Sequence, residues 1–402
     1  MWLLSTRTAI LHQFSRPEDV PGGYAVLSHV WGKPEEEDTF HTVQSVGRQY
    51  SPYSTSAVDS LQGRMDIRLE SVVSALIARV ERLESTFQLS SFTTSVDQDQ
   101  PPTFTVTDGP ESPSLASPRD LLSKKIKNFL ICAEQDGYDW AWADTCCIDK
   151  TSSAELTEAI NSMFRYYALS EICYVYLADV PTEDPMIIHD RGTDRPQFVS
   201  SQWHKRGWTL QELLAPRNVC FMSRDWTTLG NKFQLADTLE WVTDIPASVL
   251  RLEEDFTTMS VATRMSWAAS RRTTRVEDEA YCLLGIFGVN MPMIYGEGEN
   301  AFYRLQEEIV KSSVDSTFLA WGYLDHIEDE SQLKSIANGS ILESSVEHAF
   351  ANSPRSFEDS GHVKVGYAVT GDHVSALLFV SIHEYSTRST ASTILLENIW
   401  FT

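Results

Sequence analysis

The carboxylate best placed for chemistry is Glu212. In Trp208-Thr-Leu-Gln-Glu-Leu-Leu214, helical geometry sends Leu210, Leu213 and Leu214 inward and turns Glu212, with Trp208, to the other side. A carboxylate presented this way beside a ribose can stabilise an oxocarbenium-like transition state or orient an attacking water. The plain alternative is a solvated glutamate on a helix face. Ser28, His29 and Trp31 close the first apolar run of the chain, and Asp144 and Asp149 stand at or after the end of another. Strand ends are where open α/β sheets gather ligands, so these residues could line one cleft with Glu212. His29 could act as acid, base or donor and Trp31 could stack on a planar ring, against a buried histidine and a core tryptophan. Asp149-Lys150 could hold ribose or phosphate, although an aspartate just before Thr151 and Ser152 is also ordinary helix-start chemistry.

Other constellations are weaker. Cys146 and Cys147 invite a thiol nucleophile with His29 as base, but both are expected in an apolar strand with nothing visible to lower a thiol pKa. Adjacent cysteines on a strand point to opposite faces and chelate one ion poorly, so no structural metal is expected. The six cysteines include no CxxC pair and read as reduced, buried thiols. Lys205 and Arg206, just before Trp208, and Arg271, Arg272 and Arg275 are basic clusters that could bind phosphate or acidic faces, with surface ion pairing as the default.

The elements that must position these residues alternate. A strand is expected at Tyr24 to His29, turning at Trp31-Gly32 into the acidic loop Glu35 to Asp38. Then come a helix near Leu121 to Glu134, a strand near Trp140 to Ile148, a helix at Ala154 to Tyr167 with a Ser152/Glu155 capping box, and a strand at Ile172 to Leu177. After a proline-bearing loop, Trp208 to Leu214 is closed by Pro216, and a strand follows at Val219 to Met222. Strands alternating with helices predict a parallel sheet. Beyond Asp225 the signal is helical, at Val261 to Ala269, Glu277 to Ile286 and Glu299 to Ser312. From Val363 a β pattern turns at Thr370-Gly371-Asp372 and returns in Leu377 to Ile382 and Ile394 to Phe401. Between Tyr50 and Pro118 a Ser/Thr/Pro/Asp/Gln-rich stretch reads as an insertion, in which Leu69 to Phe87 carry a four-three apolar seam suited to a helix or a partner helix.

The 402 residues, 42% hydrophobic, are ample for two or three packed units. A formal charge of −24 opposes phosphate backbones and anionic lipid, so nucleic acid is not an expected partner. No window is apolar enough for a membrane span and the start lacks a signal pattern, which predicts a cytoplasmic protein.

Three blocks together resemble the fungal heterokaryon incompatibility (HET) family: Tyr24-Ala-Val-Leu-Ser-His-Val-Trp-Gly32; Ala143-Asp-Thr-Cys-Cys-Ile-Asp-Lys150 running into Ser152 to Phe164; and Arg206-Gly-Trp-Thr-Leu-Gln-Glu-Leu-Leu-Ala-Pro216. Met265-Ser-Trp-Ala, Arg275 to Phe287 and Met293 to Glu299 look like the extension that follows the domain in this family. The long insertion departs from the usual pattern. The resemblance implies an effector of programmed cell death in non-self recognition, a form of innate immunity, with other proteins, or further copies of itself, as partners. HET domains are considered relatives of TIR domains, which have a flavodoxin-like sheet and in many members cleave NAD; the carry-over of the TIR glutamate falls on Glu212. On this reading Ser28, His29, Trp31, Asp144, Asp149, Arg206 and Trp208 bind NAD as substrate, Trp31 against its nicotinamide or adenine ring, and no cofactor is required. No GxxxxGK[ST] motif is present. The expected organisation is a HET domain over 1–225 with its insertion at about 50–118, a helical extension over 226–322 and a β-rich region over 323–402. A non-catalytic interaction module for cell death is the alternative, and the abrupt end at Trp400-Phe401-Thr402 also admits a truncated, inactive product.

Overall fold

Serine caps set the starts of two of the three longest helices. Ser123 accepts from the Ile126 amide and Ser152 from the Glu155 amide (3.4 and 3.3 Å), satisfying donors that a helix N-terminus leaves open. The structure is a computed structural model, which describes residues 1–49, 117–183, 187–189, 192–194, 196–319, 321, 350–361, 363–370 and 373–380. The insertion read at about 50–118, apart from its last two residues, its apolar seam and the run from Ile394 to Phe401 lie outside the described residues.

In chain order the strands are β1 (Trp2–Ser5), β2 (Leu11–Gln13), β3 (Ala25–His29), β4 (Trp140–Ala143), β5 (Ile172–Tyr176), β6 (Ile187–His189), β7 (Gly192–Asp194), β8 (Val219–Met222), β9 (Thr228–Asn231), β10 (Val363–Thr370) and β11 (His373–Val380). The helices are α1 (Phe40–Gln49), α2 (Lys124–Gln135), α3 (Ser153–Ala168), α4 (Pro196–Ser200), α5 (Thr209–Leu214), α6 (Ala236–Thr243), α7 (Ala247–Leu250), α8 (Val261–Ala269), α9 (Asp278–Tyr281), α10 (Leu284–Phe287) and α11 (Asn300–Ser312). Two compact units result, Met1–Ala25 with Gly32–Asp149, and Val26–Trp31 with the chain from Lys150 onward.

In the first unit β1 lies antiparallel between β2 (Leu3↔His12) and β4 (Leu4↔Ala141). Leu3, Leu4, Ile126, Phe129, Leu130 and Trp142 are buried there. The acidic loop anchors α2: Asp38 accepts from the Ser123 amide (2.8 Å) and Glu37 receives Lys125 Nζ (2.7 Å on Oε2). The strand expected to run through Ile148 ends at Ala143, whose carbonyl oxygen accepts from both the Cys146 and Cys147 amides (3.1 and 2.8 Å) and so closes a turn. Cys146 and Cys147 therefore sit in a buried turn and not in a strand.

In the second unit the strand order is β3-β5-β8-β9. β5 and β8 are parallel (Cys173↔Val219 to Tyr176↔Met222), joined by a crossover that contains α5. β9 returns antiparallel to β8 after a tight connection, with an irregularity at Phe221/Met222. The expected parallel sheet is thus corrected to a mixed one, because β1–β2 and β8–β9 are linked by turns of a few residues, which permit only antiparallel pairing. The α/β class holds. Tyr167 on α3 donates through its hydroxyl to the Leu27 carbonyl oxygen (3.1 Å).

The stretch expected as one helix from Glu277 to Ile286 is two short helices, α9 and α10, with Gly285 against Phe164 of α3. α8 spans Val261–Ala269 as its pattern predicts. The Glu277 carboxylate accepts from the Gly296 and Gly298 amides (2.7 and 3.1 Å), tying together the Arg275–Phe287 and Met293–Glu299 blocks. β10 and β11 form an antiparallel hairpin with Thr370↔His373 at its turn, as the Gly371-Asp372 signal predicts.

Candidate functional site

Every residue of α5, Thr209 to Leu214, is buried. A six-residue helix enclosed on all sides has no solvent face, so Glu212 is corrected from an outward carboxylate to a buried one, 7% exposed. A buried carboxylate requires donors. Ser28, in β3, donates its hydroxyl to Glu212 Oε2, and Trp203 Nε1 in turn donates to Ser28 Oγ (2.7 Å). Positive charge comes from Arg271, 8% exposed, which interacts electrostatically with Glu212. Burial brings the Arg271 guanidinium down to about 10, still cationic at neutral pH. Its Nη1 reaches the Arg206 carbonyl oxygen (3.1 Å) and Thr209 Oγ1 (3.0 Å), and its Nε the Trp267 carbonyl oxygen (3.1 Å). Arg271 is therefore an interior cation, not the surface ion-pairing group its sequence cluster suggested.

The far end of α5 is held by Lys232, buried, whose Nζ donates to the Leu213 and Pro216 carbonyl oxygens (3.2 and 2.5 Å). Burial lowers its ammonium to about 8.

His29 is buried and its carbonyl oxygen accepts from Arg206 Nη1 (2.6 Å). Trp31, two residues on, is 45% exposed, so it is no core tryptophan. Lys150 Nζ stands 3.7 Å from its ring centroid and the Arg206 guanidinium carbon 5.5 Å, a cation-flanked aromatic plate. Trp208 is half-buried and its side chain hydrogen-bonds Asp278, whose carboxyl is raised by burial against this bond and that from Tyr295. Ser28, His29, Trp31, Arg206 and Glu212 are thus brought together, with Trp208 directed to Asp278.

Asp144 and Asp149 belong to the first unit. Asp149 pairs with His41 Nε2 (3.4 Å), and Asp144 stands in the turn with Cys146 and Cys147. Burial pushes the Cys147 thiol up to about 12 and Cys146 well above the ordinary thiol range, which removes the thiolate a nucleophile needs.

Sequence reasoning missed Trp203, Thr209 and Lys232. Nothing in their spacing marks them, because each acts through contacts distant in sequence. It also missed His204, buried edge-on between Trp203 and Phe198, with Nε2 3.0 Å from the Phe198 carbonyl oxygen. Burial, aided by Arg271, depresses its imidazole to about 3. The unfolded chain binds a proton below the ordinary value of 6.5 that the folded chain refuses until about 3. His204 thus favours folding fully above pH 6.5, and that contribution is lost as pH falls from 6.5 toward 3. The acid limb of a urea-denaturation series should steepen by up to ~1.4 kcal/mol per pH unit in this window. His204→Gln, which keeps a donor for Phe198, should flatten it; an unchanged limb would show His204 is not buried neutral.

Among the described residues no helix is long and apolar enough to cross a membrane. Residues 91–191 match the model of the heterokaryon incompatibility protein (HET) family, and residues 300–389 match a domain of unknown function (DUF8212). The HET span takes in Asp144 and Asp149 and leaves Ser28, Trp203 and Glu212 outside it. A similar protein is vegetative incompatibility protein HET-E-1 of Podospora anserina, 44% identical over 218 residues, which cover 53% of this chain and 16% of that protein. Residues 91–191 are thus similar to the HET domain, and the aligned stretch spans about a sixth of that relative's length. No solved structure matches the chain.

Proposed function

We propose that this chain is an effector of heterokaryon incompatibility that triggers programmed cell death in the cytoplasm after non-self recognition, and that it does so by TIR-like cleavage of NAD at Glu212. The observation that carries the reading is the Trp203–Ser28–Glu212 relay, which holds a carboxylate at the strand that leads, within three residues of Ser28, into the exposed Trp31 plate. Adenine stacks on Trp31 while Lys150 and Arg206 offset the diphosphate charge. The glycosidic carbon–nitrogen bond breaks with its electron pair leaving on nicotinamide. Glu212 stabilises the oxocarbenium-like carbon and takes a proton from the water whose oxygen bonds to it, giving ADP-ribose.

The test is nicotinamide release from NAD by the whole chain at high protein concentration. Glu212→Gln keeps an acceptor for Ser28, so the fold persists while release falls at least ~100-fold. Trp31→Ala raises KM with little effect on kcat. Release by Glu212→Gln at the wild-type rate would overturn the assignment. The burial of Glu212, with one oxygen engaged by Ser28, favours a second reading, a non-catalytic module that signals death through protein partners. That reading predicts no nicotinamide release by wild type and killing that survives Glu212→Gln.

A further inference from the structure

A cavity of about 480 Å³ in the second unit lies apart from Ser28 and Glu212, between the C-terminal end of α8 with the residues after it, Glu279 and Cys282 in the α9 region, and the short turn Pro354–Phe357. Arg271, Arg272 and Arg355 line it. None of the three makes an ion pair among the described residues. In a chain with 56 acidic and 32 basic residues, three arginines gathered at one cavity, with Arg271 under the longer-range influence of Glu212 and none in an ion pair among the described residues, are not explained by ordinary surface pairing. Arg271 is over nine-tenths buried and its Nη2 has no hydrogen-bond partner. A buried guanidinium with an unmet donor is costly unless an anion answers it. The end of α8 does not cancel this positive character, because Arg271 Nε already occupies the Trp267 carbonyl oxygen of its last turn.

Two carboxylates, Glu279 and Glu358, line the same cavity. A site for a bare anion gains nothing from them, whereas they suit a ligand whose hydroxyls donate, in the way an acidic side chain takes ribose hydroxyls while other donors take phosphate. The volume lies in the range of small-molecule sites. We propose that this cavity binds a sugar phosphate, with the phosphate on Arg272, Arg355 and Arg271 and the hydroxyls on Glu279 and Glu358. Its occupant reaches the first site through Arg271, which bonds Thr209 at the start of the helix that carries Glu212. The proposal does not rest on NAD cleavage and is read by binding alone.

Isothermal titration of the whole chain with ribose 5-phosphate, inorganic phosphate and adenosine monophosphate tests it. Ribose 5-phosphate is expected to bind at least ~10-fold more tightly than inorganic phosphate, and Arg272→Gln and Arg355→Gln, both at exposed positions, should each weaken it ~10-fold. Glu358→Gln should erase the advantage over inorganic phosphate. Tighter binding of the monophosphate identifies a nucleotide as the source, and equal binding a free sugar phosphate; both support the site. No heat at millimolar ligand, equal affinity for inorganic phosphate and ribose 5-phosphate, or unchanged affinity in both arginine variants would overturn it.

Discussion

Gly285→Ala is expected to lower stability by about 3 kcal/mol, against the ~1 kcal/mol gain that alanine ordinarily brings to a helix interior. A Cβ at this position would stand 2.0 Å from Phe164 Cβ and 2.5 Å from its Cγ, and no rotamer change at Phe164 relieves the first of these because Cβ moves only with the backbone. α10 must therefore lift from α3, the helix that Tyr167 pins to β3. The clash outweighs the propensity because overpacking in a dense interior displaces whole elements. Phe164→Gly alone removes that Cβ with the ring and is itself destabilising, and its double variant with Gly285→Ala should be less destabilised than the sum of the two singles by more than ~1 kcal/mol, since only loss of the Phe164 Cβ makes room for the new methyl. Urea denaturation of the four proteins measures this. Strict additivity, or a stabilised Gly285→Ala, would show that α10 does not pack on α3 at this glycine.

The same pair shows where sequence reading stops. Hydrophobic periodicity predicts one helix across Glu277 to Ile286, but periodicity records only which side of an element is apolar, not how closely a neighbour's backbone must approach. Where local chemistry decides, prediction and structure agree: Ser152 caps α3, α8 begins after Ser260, and β10 and β11 pair antiparallel up to Thr370↔His373. Glu212 was legible as a residue of interest but not in its setting. The inference of an outward face assumed that α5 has one, whereas Thr209 and Gln211 are buried with the leucines. Its donor Ser28 lies 184 positions away, a separation over which one sequence carries no pairing signal. Trp31 departs in the opposite sense: an aromatic residue beside an apolar strand reads as core, yet it stands out between two cations. Sheet direction failed for a similar reason, because alternation of strands and helices along the chain does not register the short hairpin links β1–β2 and β8–β9.

The other large effect is expected at Arg271. Arg271→Met should cost about 3–5 kcal/mol, because methionine fills the volume but leaves Glu212 buried without its nearby cation and takes one donor from each of three oxygens, on Arg206, Trp267 and Thr209. Removing the opposite charge, Glu212→Gln, is destabilising through the stranded guanidinium, while its amide oxygen still accepts from Ser28. If the two charges hold each other in the interior, the double variant removes both uncompensated charges at once. It should then be more stable than the sum of the singles predicts by at least ~1 kcal/mol. Arg271→Lys should not restore the wild-type value, since a point charge cannot serve the backbone and Thr209 with the spread of a guanidinium fork. The coupling should also persist in high salt, which screens surface pairs and not interior ones. A coupling near zero would place Glu212's compensation elsewhere and release Arg271 to serve the sugar-phosphate cavity alone. A large coupling that shrinks when ribose 5-phosphate is bound would instead show one cation divided between two sites, and make the occupancy of the cavity a control on the carboxylate proposed to cleave NAD.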